Sequence, residues 1–249
     1  MKEQIVICMP VKNAEQTIET SIESVLNQKY CNRNISLLIG YQPSVDGTWE
    51  VLKKYDNHPN IHILHSEATT IVENRNFLLN QARNIPLCSL IGRLDADDFI
   101  LQDDSIAQIE AIYDDECFDI FLCGNRQHHH KVSFNGVNYA QKDFLNKSSL
   151  LKRLEQMSLG RKEAELPSCN TFIHPKISIN YPEVQSAEDH WWLVELLCSQ
   201  HKHKIVISEE LLYCSYNIGG LSTQTNVKSN LYLSSRKDLY EHFKRQLQD

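Results

Sequence analysis

The sequence predicts an α/β fold: a mostly parallel central sheet with helices on both faces and a less regular C-terminal half. Two observations carry this. Short apolar, β-branched runs alternate with amphipathic helical stretches four times in about the first hundred residues, the pattern of strand–helix–strand crossovers. Several of these runs end abruptly in polar or acidic residues, as strands do where a parallel sheet opens onto a ligand rim. No Pro- or Gly-rich linker divides the 249 residues, so one domain spanning 1–249 is expected, with halves 1–100 and 101–230 and a C-terminal helix at 231–249.

In order, "IVICMPV" (5–11) reads as a buried first strand. Asn13 with Gln16 three residues on has capping-box spacing, and Ile18, Ile22, Val25 and Leu26 then fall on one helical face. "ISLLIGY" (35–41) is the second strand and leads into the turn "QPSVDGT"; a helix follows, presenting Val51, Leu52 and Tyr55. "IHIL" (61–64) and "CSLIGRL" (88–94) are the third and fourth strands, separated by a helix at 73–84. Beyond residue 100, "DSIAQIEAIYDD" reads as a helix, "FDIFLCG" as a strand and 141–157 as an amphipathic helix. "SAEDHWWLVELLCSQ" (186–200) is a helix with Ser186 as its expected N-cap. "HKIVIS" and "LLYCSY" are late strands, and 231–247 is a final helix. Asn13, the 42–48 turn and the acidic run at 95–98 all follow strands, so they are expected to converge on one rim.

Composition excludes several classes. With 41% hydrophobic and 23% charged residues and a net charge of −7, the chain does not track nucleic acid by its overall field. No run approaches the ~18 apolar residues of a membrane span, and the N-terminal apolar run is shorter than a secretory signal. The eight cysteines are irregularly spaced without a C-x-x-C pair, which argues against a zinc ribbon and for reduced thiols in the cytoplasm.

Three carboxylates, Asp95, Asp97 and Asp98, close the fourth strand within "SLIGRLDADDF". They serve either as an acidic turn before the next helix or as oxygen ligands for a hard divalent cation such as Mn2+ or Mg2+. Glu188 and Asp189 fall in a first helical turn, where the macrodipole stabilises carboxylates; a general base aimed at a hydroxyl is the functional alternative. "SVDGT" (44–48) lacks the nucleophilic aspartate of a haloacid-dehalogenase-type phosphatase, so Asp46 and Thr48 are expected to cap a helix. His128–His130 are adjacent and cannot all face one ion, which favours an exposed loop. Arg75 opposes the dipole in the first turns of its helix, a position that a nearby phosphate would explain.

Taken together, "PVKNAEQTIETSIESVLNQ" (10–28), "NRNFLLNQA" (74–82), "LDADD" (94–98) and "AEDHWW" (187–192) resemble, in order and over about 190 residues, the inverting glycosyltransferase family 2 of GT-A fold. The resemblance implies a nucleotide-sugar donor, most often a UDP-sugar, bound in the first half, and a glycan or lipid-linked sugar acceptor in the second. It further implies a divalent cation and a role in bacterial surface polysaccharide or lipo-oligosaccharide synthesis, with peripheral contact at the inner membrane compatible. Carried over by position, Asp97 resembles the metal ligand, Asp95 a neighbour on the metal or ribose, Arg75 a residue bordering the nucleotide and Asp189 the base. Pro10, Tyr41 and Gln42 fall where the family lines the nucleotide. Two departures stand out. "YQPS" replaces the acidic "DDGS" after the second strand, exchanging a carboxylate for an amide that both donates and accepts. "YNIGGLS" (216–222) lacks the arginine and histidine of the family's C-terminal loop. The alternatives are a sugar-1-phosphate nucleotidyltransferase, which would open with a glycine-rich basic loop that "PVKNAEQ" lacks, and a non-catalytic binding protein of the same fold.

Overall fold

The computed structural model describes residues 2–128, 135–217 and 230–248. The first half is the expected alternation: β1 (Gln4–Val11), α1 (Ile18–Leu26), β2 (Asn34–Tyr41), α2 (Thr48–Leu52), β3 (Ile61–His65), α3 (Ile71–Arg83) and β4 (Cys88–Arg93). The second half adds β5 (Phe99–Ile100), α4 (Ser105–Glu116), β6 (Ile120–His128), β7 (Asn135–Asn138), α5 (Lys147–Ser158), β8 (Thr171–Ile173), α6 (Glu188–Cys198), β9 (Ile205–Asn217) and α7 (Leu231–Gln248). The sheet runs β3-β2-β1-β4-β8-β6-β9-β5, with β7 beside β6. Strands β3, β2, β1 and β4 are mutually parallel. β8 then enters antiparallel to both β4 and β6, which is why the second half lacks the clean alternation of the first.

β1 is covered on both sides. Ile5, Ile7 and Met9 pack with Ile18 and Ile22 of α1, whereas Val6 and Cys8 pack with Leu78 and Leu79 of α3. Strict period-2 alternation between two apolar faces is what a central parallel strand requires, and each such fully buried aliphatic contributes about 1.5–3 kcal/mol. A third cluster joins α5, α6 and α7 through Leu154, Met157, Leu193, Leu197, Leu239 and Phe243. The final helix is therefore an integral part of the second half. No helix among the described residues is long and apolar enough to cross a membrane.

Several local expectations shift. α1 starts at Ile18, with Thr17 rather than Asn13 at its N-cap; Asn13 instead takes a left-handed conformation (φ 51°) and spends its side chain on a neighbouring loop. The capping box lies on α3, where Thr70 and Glu73 satisfy each other's backbone amides. α6 begins after Ala187, whose φ of 62° turns the chain into the helix, so Ser186 is not its cap. The 141–157 segment breaks at Asn146, which caps α5 by accepting from the Ser149 amide at 3.0 Å. The two late strands are one, β9, whose charged middle leaves the β6 ladder between Ile207 and Leu212. His128 ends β6 with Nδ1 2.9 Å from Ser215 Oγ; His129, His130 and the segment 218–222 lie outside the described residues.

Gly92 of β4 faces the Phe172 ring, where an added Cβ would sit 2.4 Å from Cε1. Phe172 is fully buried and has nowhere to swing. Gly92→Ala should therefore destabilise the fold by about 1–3 kcal/mol, read as a lower urea midpoint with an unchanged slope.

Candidate active site

The loops after β1, β2 and β4 converge through hydrogen bonds. The Asn13 amide donates to Ser44 Oγ at 3.0 Å, and Asn13 Oδ1 accepts from the Val45 amide at 2.9 Å. The Ala14 amide donates to Thr48 Oγ1 at 2.8 Å, and the Glu15 amide to Asp46 Oδ2 at 3.2 Å. Asp46 also accepts from the Thr48 amide at 3.1 Å. Side chains of α1 hold the acidic loop. Thr17 and Ser21 hydroxyls donate to the Ala96 carbonyl at 2.7 and 2.9 Å, and Ser24 Oγ accepts from the Ile100 amide at 3.0 Å. Gln28 donates to the Gln102 carbonyl at 2.7 Å and accepts from the Ile106 amide at 3.0 Å. The polar positions of "SIESVLNQ" thus clamp the 96–106 backbone.

The three aspartates have three different environments. Asp95 lies between two guanidinium groups: Arg93 meets it with Nε at 3.0 Å and Nη2 at 2.7 Å, and Arg75 Nη2 lies at 3.0 Å. Burial would raise its proton affinity, but Arg93 and Arg75 outweigh this and hold the carboxyl below its usual range. Asp98 is the opposite case, buried at 1% exposure and pushed well above the carboxylate range by burial and by Asp97. Its Oδ1 accepts from the Asn217 amide at 2.7 Å; its side chain, Cys169 Sγ and Cys214 Sγ gather within 4.8 Å of one another in the interior. Asp97 stays half-buried at the rim, where Oδ2 accepts from Asn217 Nδ2 at 3.1 Å.

Arg75 reaches from α3 across the site and bonds Glu188 as well as Asp95. Both arginines are nearly inaccessible, with side-chain exposures of 8% and 6%, and the Arg75 guanidinium lies 5.5 Å from the Tyr181 ring centre. Arg93 Nη2 also faces Asp189 Oδ2 at 3.7 Å. Asp189, at the start of α6, accepts from Ser168 Oγ at 2.8 Å and lies 3.0 Å from His190 Nδ1. Burial would raise Asp189, yet the His190 cation and the arginines hold it well below the usual carboxylate range. His190 is itself raised to about 9: burial opposes its charge, and Asp189 and Glu165 overcome that opposition.

The structure therefore brings together Arg75, Asp95 and Asp189, with Glu188 orienting Arg75. Pro10 lines a small cavity with Arg75, Arg93 and Tyr181. Gln42 is buried against Asn74 of α3 and the loop before that helix: its Nε2 donates to the Ala68 carbonyl at 2.7 Å and its Oε1 accepts from Asn74 Nδ2 at 3.2 Å. Tyr41 is 8% exposed, its ring packed on Trp49 and His65 at 5.1 and 5.5 Å between centres. Sequence reading passed over Arg93, Ser168, His190, Glu165 and Arg236. Arg93 left a signal, an arginine inside the apolar run "SLIGRL", because a charge buried in a strand demands a partner. Glu165 and Arg236 left none, since only packing brings them beside residue 190.

A glycosyl transferase family 2 model matches residues 6–180. Abequosyltransferase RfbV of Salmonella typhimurium is 30% identical over 125 residues, covering 49% of this chain and 36% of that protein. The chain thus matches little more than a third of that relative's length. S. aureus TarS 1–349 in complex with UDP-GlcNAc superposes with a TM-score of 0.66 at 19% identity, covering 90% of this chain and 61% of TarS 1–349. Mannosyltransferase PcManGT from Pyrobaculum calidifontis, in complex with GDP-Man and Mn2+, gives 0.64 at 13% identity, covering 100% and 65%. Glucosyl-3-phosphoglycerate synthase from Mycobacterium tuberculosis, in complex with Mn2+, UDP and phosphoglyceric acid, gives 0.58 at 12%, covering 94% and 78%. The fold is that of the GT-A glycosyltransferases. The chain belongs to glycosyl transferase family 2.

The raised His190 affinity has a definite consequence for stability. Its contribution is fully present below about pH 6.5, the ordinary histidine value, and is lost as pH rises through about 9. Urea unfolding from pH 6 to 10 should show a loss on the order of 2–3 kcal/mol over that window; in His190→Gln this loss should largely vanish.

Proposed function

We propose that this chain is an inverting, metal-dependent glycosyltransferase that moves a sugar from a nucleotide-sugar donor to a hydroxyl of a glycan or lipid-linked acceptor. A cytoplasmic setting and a role in bacterial surface polysaccharide or lipo-oligosaccharide synthesis belong to the same proposal. The observation that carries it is the joining of the acidic loop after β4 to the start of α6 through buried arginines. Arg93 pairs with Asp95 and faces Asp189, Arg75 pairs with Asp95 and Glu188, and Asp97 follows Asp95 in the same loop. The UDP-GlcNAc, GDP-Man and Mn2+ in the complexes of similar structures support a nucleotide diphosphate donor and a divalent cation.

The donor set fits a hard cation. Asp97 offers carboxylate oxygen at the accessible rim, with the Asn217 amide beside it. Asp95, balanced by two arginines, joins the ion only by loosening one of them, and Asp98 faces the interior. When bound, such an ion neutralises charge on the departing diphosphate. Arg75 borders the nucleotide, and Pro10, Tyr41 and Gln42 shape its recess. Asp189 receives the acceptor hydroxyl's proton, which makes the oxygen a nucleophile at the anomeric carbon opposite the leaving group. Glu188 keeps Arg75 in place.

A thermal-shift screen of UDP-, GDP-, CMP- and dTDP-sugars with and without Mn2+ tests the donor half. Stabilisation by one nucleotide only with metal, lost in Asp97→Ala, is the expected result; no metal-dependent response to any of them sinks the proposal. Asp189→Asn should lower kcat by about 10²-fold or more while donor affinity stays within about threefold. A collapse of donor binding would remove Asp189 from the role of base.

A further inference from the structure

Asp189 is the first member of a buried chain of alternating charge that runs from the site into the C-terminal helix. His190 Nδ1 lies 3.0 Å from Asp189 Oδ1, and His190 Nε2 lies 2.9 Å from Glu165 Oε2. The second contact is a close ion pair whose N–H is poorly aimed for a hydrogen bond. Glu165 is fixed in turn by α7: Arg236 grips both its oxygens, one through Nη2 at 2.7 Å, and the Tyr232 hydroxyl donates at 2.7 Å. The Arg236 guanidinium stacks 3.6 Å from the Tyr232 ring centre, so the clamp is itself anchored.

We propose that His190, backed by Glu165 and Arg236, is a positioning residue that commits Oδ1 of Asp189 to the scaffold and reserves Oδ2 as the proton-accepting oxygen. This rests on the reading of Asp189 as the base. Each carboxylate oxygen has two acceptor positions. Oδ1 is filled by the His190 backbone amide at 2.9 Å and by His190 Nδ1. Among the described residues, Oδ2 receives the Ser168 hydroxyl at 2.8 Å and the more distant Arg93, which leaves it room for an incoming hydroxyl. As the acceptor oxygen bonds to the anomeric carbon, its proton passes to Oδ2. The electron pair of the breaking C–O bond leaves with the diphosphate.

The ring state follows from geometry. Carboxylates on both ring nitrogens require both nitrogens to carry protons, and only the imidazolium has two. The other groups that face this chain are Arg75 from α3, Arg93 from β4, Asp95 from the loop after β4, Tyr216 from β9, and Arg236 with Tyr232 from α7. They act on the carboxylates, and none of them replaces the carboxylates' demand for protons on the ring.

Nitrogen-15 NMR of the histidine rings in the full chain provides the test, with His190 assigned by its loss in His190→Gln. At pH 7.5 both His190 nitrogens should be protonated, and Glu165→Gln should lower its midpoint by at least one pH unit. A neutral His190 ring at pH 7.5, or a midpoint unmoved in Glu165→Gln, overturns the proposal. In transfer assays His190→Gln should lose about 10- to 100-fold in kcat with donor affinity within about twofold, and Glu165→Asp should recover part of the loss of Glu165→Gln. Circular dichroism and urea unfolding establish that each variant is folded. Asp189→Asn separates the two readings. Transfer surviving in that variant removes the base itself, whereas a dead Asp189→Asn beside a fully active His190→Gln removes only the positioning role.

Discussion

Two guanidinium groups buried behind the strand ends, Arg75 and Arg93, must be charge-balanced, and much of the site follows from that requirement. A buried cation stripped of its partner costs about 3–5 kcal/mol, so Asp95, Glu188 and Asp189 are held where the arginines need them. The same arrangement neutralises one carboxylate of the acidic loop. Asp95 is neutralised by arginines, Asp98 is driven toward its protonated form by burial, and Asp97 is left at the rim beside an amide. One loop thereby carries three carboxyl groups in three different surroundings.

The backbone of that loop is held from outside the charge network. Hydroxyls of Thr17, Ser21 and Ser24 and the amide of Gln28, on α1 and the residues flanking it, bond to carbonyls and amides over residues 96–106. The helix thus does two tasks with two faces. Its aliphatic side packs on β1 and β2, and its polar side fixes the acidic loop against the sheet. Backbone fixed by four separate side chains has little freedom to drift, which is what positioning a charged ligand to within a fraction of an ångström requires.

The first half was legible because its signals are local. Apolar runs of strand length, helical spacing and acidic strand exits each lie within a few residues, so β1 to β4 and α1 to α3 sit close to where the pattern puts them. Errors fell where a side chain had a better use elsewhere. Asn13 has the chemistry of a cap but bonds across to residues 44 and 45. Ser186 precedes a turn that Ala187 makes at positive φ. Beyond residue 100 the antiparallel β8, only three residues long, gives too short a pattern to read.

The sequence alone determined the class of fold and the convergence of Asn13, the 42–48 turn and the aspartates, because periodicity and strand order are enough for these, and its motifs carried the resemblance to the family. Tertiary structure decided how each charged group is used. Residues 75, 93, 165, 236 and the adjacent pair 189–190 come from separate stretches of the chain, and their pairing depends on packing that no spacing encodes. The acidic run at 95–98 shows the division plainly. Its position at a strand end is a matter of sequence, and the different fates of its three carboxyl groups are set by what the folded chain places against each one.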